Sequence, residues 1–277
     1  MSRSEEGRDT NGGSRPRTVL ICHRGSELNR RFLGRWLASF SDLVGIIELD
    51  ENRSRVIDRL RHERRRVGML RLVDVLAMRC YYKLFLAAKD RERLRTRLAV
   101  LSEGLPEVSP QVEVLVTEGP NTPEAEAFVK RLAPDITIAR CKRLITERVF
   151  SVPTHGTFVM HPGVCPEYRN AHGCFWALAN DDLEKVGLTL LRIDKGVDTG
   201  PVYGYYYYDY DELQESHITI MERVVLENLD ALRDKLLDVH VGIAEPIDTS
   251  GRQSDVWGQP WLTKYLGWKR AARRRHA

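Results

Sequence analysis

Fourteen residues, HPGVCPEYRNAHGC, bring His161, Cys165, Arg169, Asn170, His172 and Cys174 together in sequence. Downstream, DKGVDTG supplies Asp194 and Asp198 among Gly196 and Gly200. Two chemistries use such residues. Zinc accepts mixed His/Cys sets, but His161-x3-Cys165 and His172-x-Cys174 lack the usual CxxC or HxxxH spacing, and Pro162 and Pro166 dictate the local backbone. No metal is expected. The second chemistry is acid–base. His161 follows a strand-like TFVM and precedes proline, where an α/β sheet presents residues to a ligand crevice. An imidazole titrates near neutrality, so it can take a proton from an attacking amine or give one to a leaving group. A neighbouring aspartate orients the ring and stabilises its charged form. Asp198 is the candidate partner, in a loop whose Gly196 and Gly200 permit unusual backbone angles and close approach of a ligand. Singly, His161 reads as the start of a turn and Asp198 as a hairpin cap; their order along the chain favours the pair.

The elements that must hold these loops are legible. The apolar run TVLIC (18–22) reads as a buried strand and LVGIIEL (43–49), VEVLV (112–116) and ITIA (136–139) as further strands, with RRFLGRWLASF and PEAEAFVKRLA as intervening helices. This alternation predicts an α/β fold, a mostly parallel twisted sheet with helices on both faces. GLTLLRI (187–193) and PVYGYYYY (201–208) read as a strand pair, and GCFWALAND as the start of a helix. Alternation places two of Tyr205–Tyr208 on each face, an exposed ladder or a subunit contact. Ile218, Met221, Val225, Leu229, Leu232 and Leu236 recur at three-and-four spacing, predicting one long covering helix.

Three further segments frame the domain. Residues 1–16 are polar and Gly/Ser-rich, the composition of a disordered arm, with no apolar core for a secretory signal. A helical insertion is expected over 51–105, within a domain covering 17–243. Residues 51–100 carry 15 Lys/Arg against 6 Asp/Glu, and 269–277 add five more cations, although the whole chain is only +4. Within 67–88, Arg71, Asp74, Arg79 and Lys83 interrupt an apolar run. Four charges there argue against a spanning helix; a buried or subunit-facing helix is expected, with an interfacial membrane helix as the alternative. A weak membrane-surface contact through this basic insertion and a homodimer are both compatible with it. Residues 244–277 form a basic extension containing Trp257, Trp261 and Trp268. Five scattered cysteines without a CxxC pair fit a reducing, cytoplasmic setting.

His161-Pro162-Gly163, Pro166-Glu167-Tyr168-Arg169, Gly187-Leu188-Thr189 and Asp194-Lys195-Gly196-Val197-Asp198-Thr199-Gly200 together resemble the formyltransferase family. Its pattern is N-x-H-(P/G)-S-x-L-P-x-Y-R-G, then G-(V/T)-T, then D-x-x-x-D-(T/G)-G. The match covers Gly156 to Val202 closely; the element order from residue 17 to about 240 is compatible with the family's catalytic domain but less specific. The resemblance implies a Rossmann-like fold and direct formyl transfer from 10-formyltetrahydrofolate to an amine, without metal. It assigns His161 as base or proton shuttle and oxyanion partner, and Asp198 as the residue holding His161 and an ordered water. Asp194, Gly196, Val197, Thr199 and Gly200 would border the folate. Three positions depart from the pattern: Val159 stands for the family asparagine, Gly163 for serine and Asn170 for glycine. Losing one oxyanion donor costs about 100- to 1000-fold in rate, and Asn170, His172 or Thr157 are the candidates to replace it.

The leading expectation is N-formyl transfer to a small or nucleotide-linked amine. Hydrolysis of the donor by water is the second reading, and a folate- or partner-binding protein without catalysis, favoured by Val159, is the third. About 35 residues follow the last long helix, too few for the β-barrel of the transfer-RNA enzymes, so a tRNA acceptor is disfavoured at this level.

Overall fold

The computed structural model describes residues 14–25, 28, 32–50, 68–69 and 71–277. Most of the expected N-terminal arm (1–13) and the first part of the insertion (51–67) lie outside the described residues.

Seven strands form one sheet: β1 (Arg17–His23), β2 (Asp42–Leu49), β3 (Glu113–Thr117), β4 (Ile136–Arg140), β5 (Gly156–His161), β7 (Leu188–Arg192) and β8 (Val202–Tyr206). Their order is β3-β2-β1-β4-β5-β7-β8. β1 to β5 are mutually parallel, whereas β7 and β8 join antiparallel. This is the expected α/β class. The chain winds outward from β1 to β3 and then crosses back to β4, so the order reverses between β1 and β4. Ligand crevices of such sheets open beyond the carboxyl ends of the strands at that switch point.

β1 is apolar throughout because both of its faces are covered. Leu20 and Cys22 face one core with Phe158, Phe175, Trp176 and Val224, while Val19 and Ile21 face another with Phe128, Val129 and Val149. The second core is capped by α3 (Pro123–Leu132), the first by α1 (Gly34–Phe40), α5 (Gly173–Ala179), α6 (His217–Leu226) and α7 (Leu229–His240). α3 shows why its sequence is helical. The Thr122 side chain accepts the Ala125 N–H, Pro123 fills the first turn, Glu124 and Glu126 open the helix and Lys130 and Arg131 close it. Ala125, Phe128, Val129 and Leu132 form the buried stripe.

Two expectations are corrected. The long helix over 218–236 is two helices, α6 and α7, broken at Glu227–Asn228. The Asn228 side-chain amide donates to the carbonyls of Val224 and Tyr207, a local bond that competes with the helix. Apolar spacing carries on across the break, so the periodicity could not register it. The four tyrosines are no exposed ladder, since β8 ends at Tyr206 and only Tyr207 of the four is exposed. Tyr205 donates to the Cys165 carbonyl and Tyr208 to Glu215. The insertion helix is buried in part. Beyond residue 71 it runs through a π turn (Tyr82–Leu86) into α2 (Ala87–Ser102), burying Val75 and Met78 but exposing Val73, Leu76, Leu84 and Phe85.

Residues 244–277 pack into the body. β9 (Val256–Trp257) pairs with β6 (Arg169–Asn170), and α8 (Leu262–Arg275) lays Tyr265 and Trp268 into the first core and also buries Ala272. Its basic end is tied down as well: Arg275 forms an ion pair with the buried Glu212.

Candidate functional site

His161 is the last residue of β5, one strand from the switch point, and its ring is almost wholly buried. Its Nδ1 lies 3.5 Å from Asp198 Oδ2. On the opposite side, Nε2 lies 2.9 Å from the Tyr168 carbonyl, to which it donates when protonated. Burial alone would push its pKa down. The Asp198 carboxylate, the Cys165 thiol and the Tyr168 carbonyl reverse this and raise it to about 10. The ring is therefore an imidazolium at neutral pH.

The 194–200 loop is shaped by its own side chains. Asp194 Oδ1 accepts the Gly196 N–H at 2.9 Å and the Thr199 hydroxyl at 2.7 Å. A Cβ on Gly200 would stand 1.8 Å from the Arg192 carbonyl oxygen, so that position excludes any side chain. The glycines of this loop were expected to take the unusual backbone angles. Instead Asp198 itself does, at φ 50°, a conformation that aspartate tolerates better than most residues. Asp194, Gly196, Val197 and Asp198 line a crevice with Val159, while Thr199 and Gly200 shape the loop without lining it.

The two loops are bonded to each other. The Asn170 N–H donates to Asp198 Oδ2 at 2.8 Å, and Arg169 donates to the Val197 carbonyl at 3.0 Å. Thr189, third residue of GLT, accepts the Cys165 N–H and donates to the Gly163 carbonyl, pinning the loop after His161 to β7.

The departures from the family pattern acquire physical reasons. Asn170 has φ 76°, in the left-handed region that glycine or asparagine adopts most readily. A Cβ at Gly163 would fall 2.8 Å from the Gly173 Cα and 2.9 Å from His161 Nε2, so a serine cannot fit beside His161 as the backbone stands. Val159 lines the crevice and packs beside Cys165, Leu191 and Tyr205. None of the three candidate replacement donors points its side chain into this space. The Asn170 amide donates to the Trp257 carbonyl at 2.5 Å. The buried Thr157 hydroxyl donates to the Phe150 carbonyl at 3.0 Å. His172 faces His217, with ring centroids 5.9 Å apart; burial, with Lys142 and Arg79 nearby, lowers its pKa to about 3.

Four participants had no sequence signal for the part they play here. The Tyr168 carbonyl is a backbone group, and Trp257 is 87 residues from Asn170. Cys165 reads as a candidate ligand or core residue, yet it borders His161. Arg252, whose guanidinium holds Glu167 with two bonds of 3.0 and 2.7 Å, lies in a polar stretch without pattern. The other cysteine of the opening stretch, Cys174, donates to the Gly187 carbonyl, and burial pushes its thiol up to about 12. Among the described residues no group of three or more His, Cys, Asp or Glu side chains converges as a metal would require.

A doubly wound sheet that sets a His/Asp pair beside a glycine-bounded loop at a crevice is a Rossmann-like α/β architecture. The chain belongs to the formyl transferase family, whose model matches residues 89–236, just over half of it. It is 31% identical over 155 residues to a methionyl-tRNA formyltransferase of Thermotoga neapolitana, covering 53% of this chain and 47% of that protein. A methionyl-tRNA formyltransferase of Dehalococcoides mccartyi is 38% identical over 82 residues, 29% of this chain and 26% of that one. The chain thus matches about half or less of the length of these curated relatives. Among solved structures it is similar to a sugar N-formyltransferase from Shewanella sp (TM-score 0.51, 15% identity, 87% of this chain and 76% of that one). A 4-N formyltransferase from Francisella tularensis is similar at TM-score 0.51 and 10% identity, covering 94% and 88%. At such identities the likeness is one of fold. The expectation that set transfer RNA aside finds no support, because the curated relatives named here are methionyl-tRNA formyltransferases.

Proposed function

We propose that this protein is an N-formyltransferase that moves a formyl group from 10-formyltetrahydrofolate to an amine on a small or nucleotide-linked acceptor. The observation carrying this reading is the His161–Asp198 pair, 3.5 Å apart beside a crevice that Asp198 itself lines.

The crevice suits a flat, hydrogen-bonding ring system. Val159, Leu191, Ile193 and Ile145 supply an apolar wall, and the 194–198 segment supplies peptide groups opposite it. These residues would hold the folate, which supplies an activated formyl group when bound. As the amine attacks, negative charge grows on the formyl oxygen. His161, charged at neutral pH and shielded from water, opposes that charge. Its Nδ1 proton faces Asp198 across a gap longer than a charge-assisted hydrogen bond of about 2.7–2.9 Å, so it can pass to an oxygen entering from the crevice. When the carbonyl re-forms, that oxygen returns the proton and the bond from the formyl carbon to the donor nitrogen breaks. The proton given up by the amine ends on that leaving nitrogen. Asp198 holds the ring in place and favours its protonated form throughout. With valine at 159 there is no neutral amide donor from that position, and the imidazolium carries the larger share of the stabilisation.

The test mixes the protein with 10-formyltetrahydrofolate and follows release of tetrahydrofolate with and without amines. The amine panel includes an amino-sugar nucleotide, glycinamide ribonucleotide and methionyl-tRNA. Release that requires an amine supports transfer. Equal release without amine replaces it with hydrolysis, and tight binding without release replaces it with a binding role, the reading that Val159 favours.

A further inference from the structure

We propose that Trp257, on the segment that returns from the C-terminal end of the chain, is a positioning residue for the His161–Asp198 pair. The inference rests on reading that pair as the reacting groups, and it extends the site to a part of the chain outside the matched family region, 89–236.

Both ring nitrogens of His161 depend on one short segment. Nε2 faces the carbonyl of Tyr168, and Nδ1 faces the Asp198 oxygen that the Asn170 N–H holds. Tyr168 and Asn170 are the two residues that Trp257 grips. Its ring lies nearly parallel to Tyr168, with centroids 5.7 Å apart and planes 20° from each other, and it stacks on Trp176 at 4.8 Å. Its indole N–H donates to the Glu167 carbonyl at 2.8 Å. Its own carbonyl accepts the Asn170 amide, in register with the β6–β9 pairing. The neighbouring backbone repeats the grip, as the Arg169 N–H donates to the Asp255 carbonyl and the Asp255 N–H to that of Pro166.

This clamp answers a mechanical problem. β6 is only two residues long, and Asn170 is held in left-handed backbone. Two residues of ladder do not fix a conformation by themselves, because each residue that is ordered loses backbone entropy that so few bonds do not offset. The stacked Trp257 supplies an apolar anchor with defined geometry, and aromatic pairs prefer such offset stacking. A shift of the 168–170 segment would move the Tyr168 carbonyl and the Asp198 oxygen together, both away from His161.

The test reads His161 directly. Nitrogen NMR of histidine-labelled protein follows the His161 ring between pH 5 and 10.5, with a His161→Gln sample assigning the signal. The groups facing the ring are Asp198, Cys165 and the Tyr168 carbonyl. In Trp257→Ala the titration midpoint should fall by about one unit or more, as the carboxylate contact loosens. Trp257→Phe keeps the stack, loses the bond to Glu167 and should fall by less. If Trp257→Ala does not fold, judged by near-ultraviolet circular dichroism, Trp257→Phe decides alone. An unchanged midpoint in the folded variant overturns the proposal. In turnover, kcat should fall by about 10- to 100-fold with the KM for the donor little changed. A rise in KM at constant kcat overturns it too. The titration needs no substrate, so an inactive wild-type protein would count against formyl transfer and leave the positioning role to be decided by NMR.

Discussion

His161 and His172 lie eleven residues apart in one loop and are both largely buried, yet they are held in opposite charge states. Burial disfavours the charge on each. His161 meets Asp198 and a carbonyl, and its pKa rises to about 10. His172 meets His217, Lys142 and Arg79, and its pKa falls to about 3. Residue type and burial are the same for the two; what decides the charge is the sign of the partners that the fold brings to each. A buried histidine becomes a proton donor at neutral pH only where a distant carboxylate is delivered to it.

That contrast can be broken in graded ways. Replacing His161 by alanine should remove about 1000- to 10,000-fold of kcat, measured as tetrahydrofolate release; a drop below tenfold would dismiss the assigned pair. Asp198→Asn keeps the shape but withdraws the charge, so the His161 midpoint should fall below 7 and kcat by about 100- to 1000-fold. If NMR shows that midpoint still near 10, Cys165 and Tyr168 hold the proton without Asp198. Val159→Asn restores a neutral donor on the crevice side and should raise kcat by about tenfold; unchanged turnover would show that the imidazolium alone carries the developing charge.

The smallest effects separate the two histidines by pH. The folded-state pKa of His161 lies above the ordinary 6.5, so its charge contributes stability that is complete below about 6.5 and is lost as pH rises through about 10. His172 behaves oppositely. Its depressed value means that the unfolded chain binds the extra proton first, so stability falls as pH drops from about 6.5 towards 3. Denaturant midpoints across pH should therefore lose their alkaline slope in Asp198→Asn and part of their acid slope in His172→Asn. Asparagine suits the left-handed backbone of position 172, and kcat of that variant should stay within about threefold of wild type. A large kcat loss there would bring His172 back as a site residue.

Much of the frame was legible in the sequence. Apolar runs marked the strands because strands covered on both faces have no polar positions to hide, and β1 is the plain case. The His161 and Asp198 loops stood out because proline, glycine and the spacing of charged groups are local signals. What escaped was long-range. Nothing near Trp257 refers to Asn170, and nothing near Tyr168 says that its carbonyl will meet His161. The mistaken long helix and tyrosine ladder have the same origin, since periodicity reports which face is apolar but not where an asparagine side chain interrupts the backbone or what covers a ring. The departures at Gly163 and Asn170 looked like lost chemistry, yet the backbone angles and the Gly163–Gly173 contact make them solutions to packing.

The pairing of Asn170 with Trp257 also sets an order of events. β8 ends at Tyr206, so the whole sheet can form on a growing chain before residues 255–257 have been made. The loop that carries His161 then has its glycine-bounded partner but not the contacts of Trp257. The contacts of Trp257 with Tyr168 and Asn170 thus arrive after the sheet, and a nascent chain holds the His161–Asp198 crevice in its final form only once residues 255–257 have emerged.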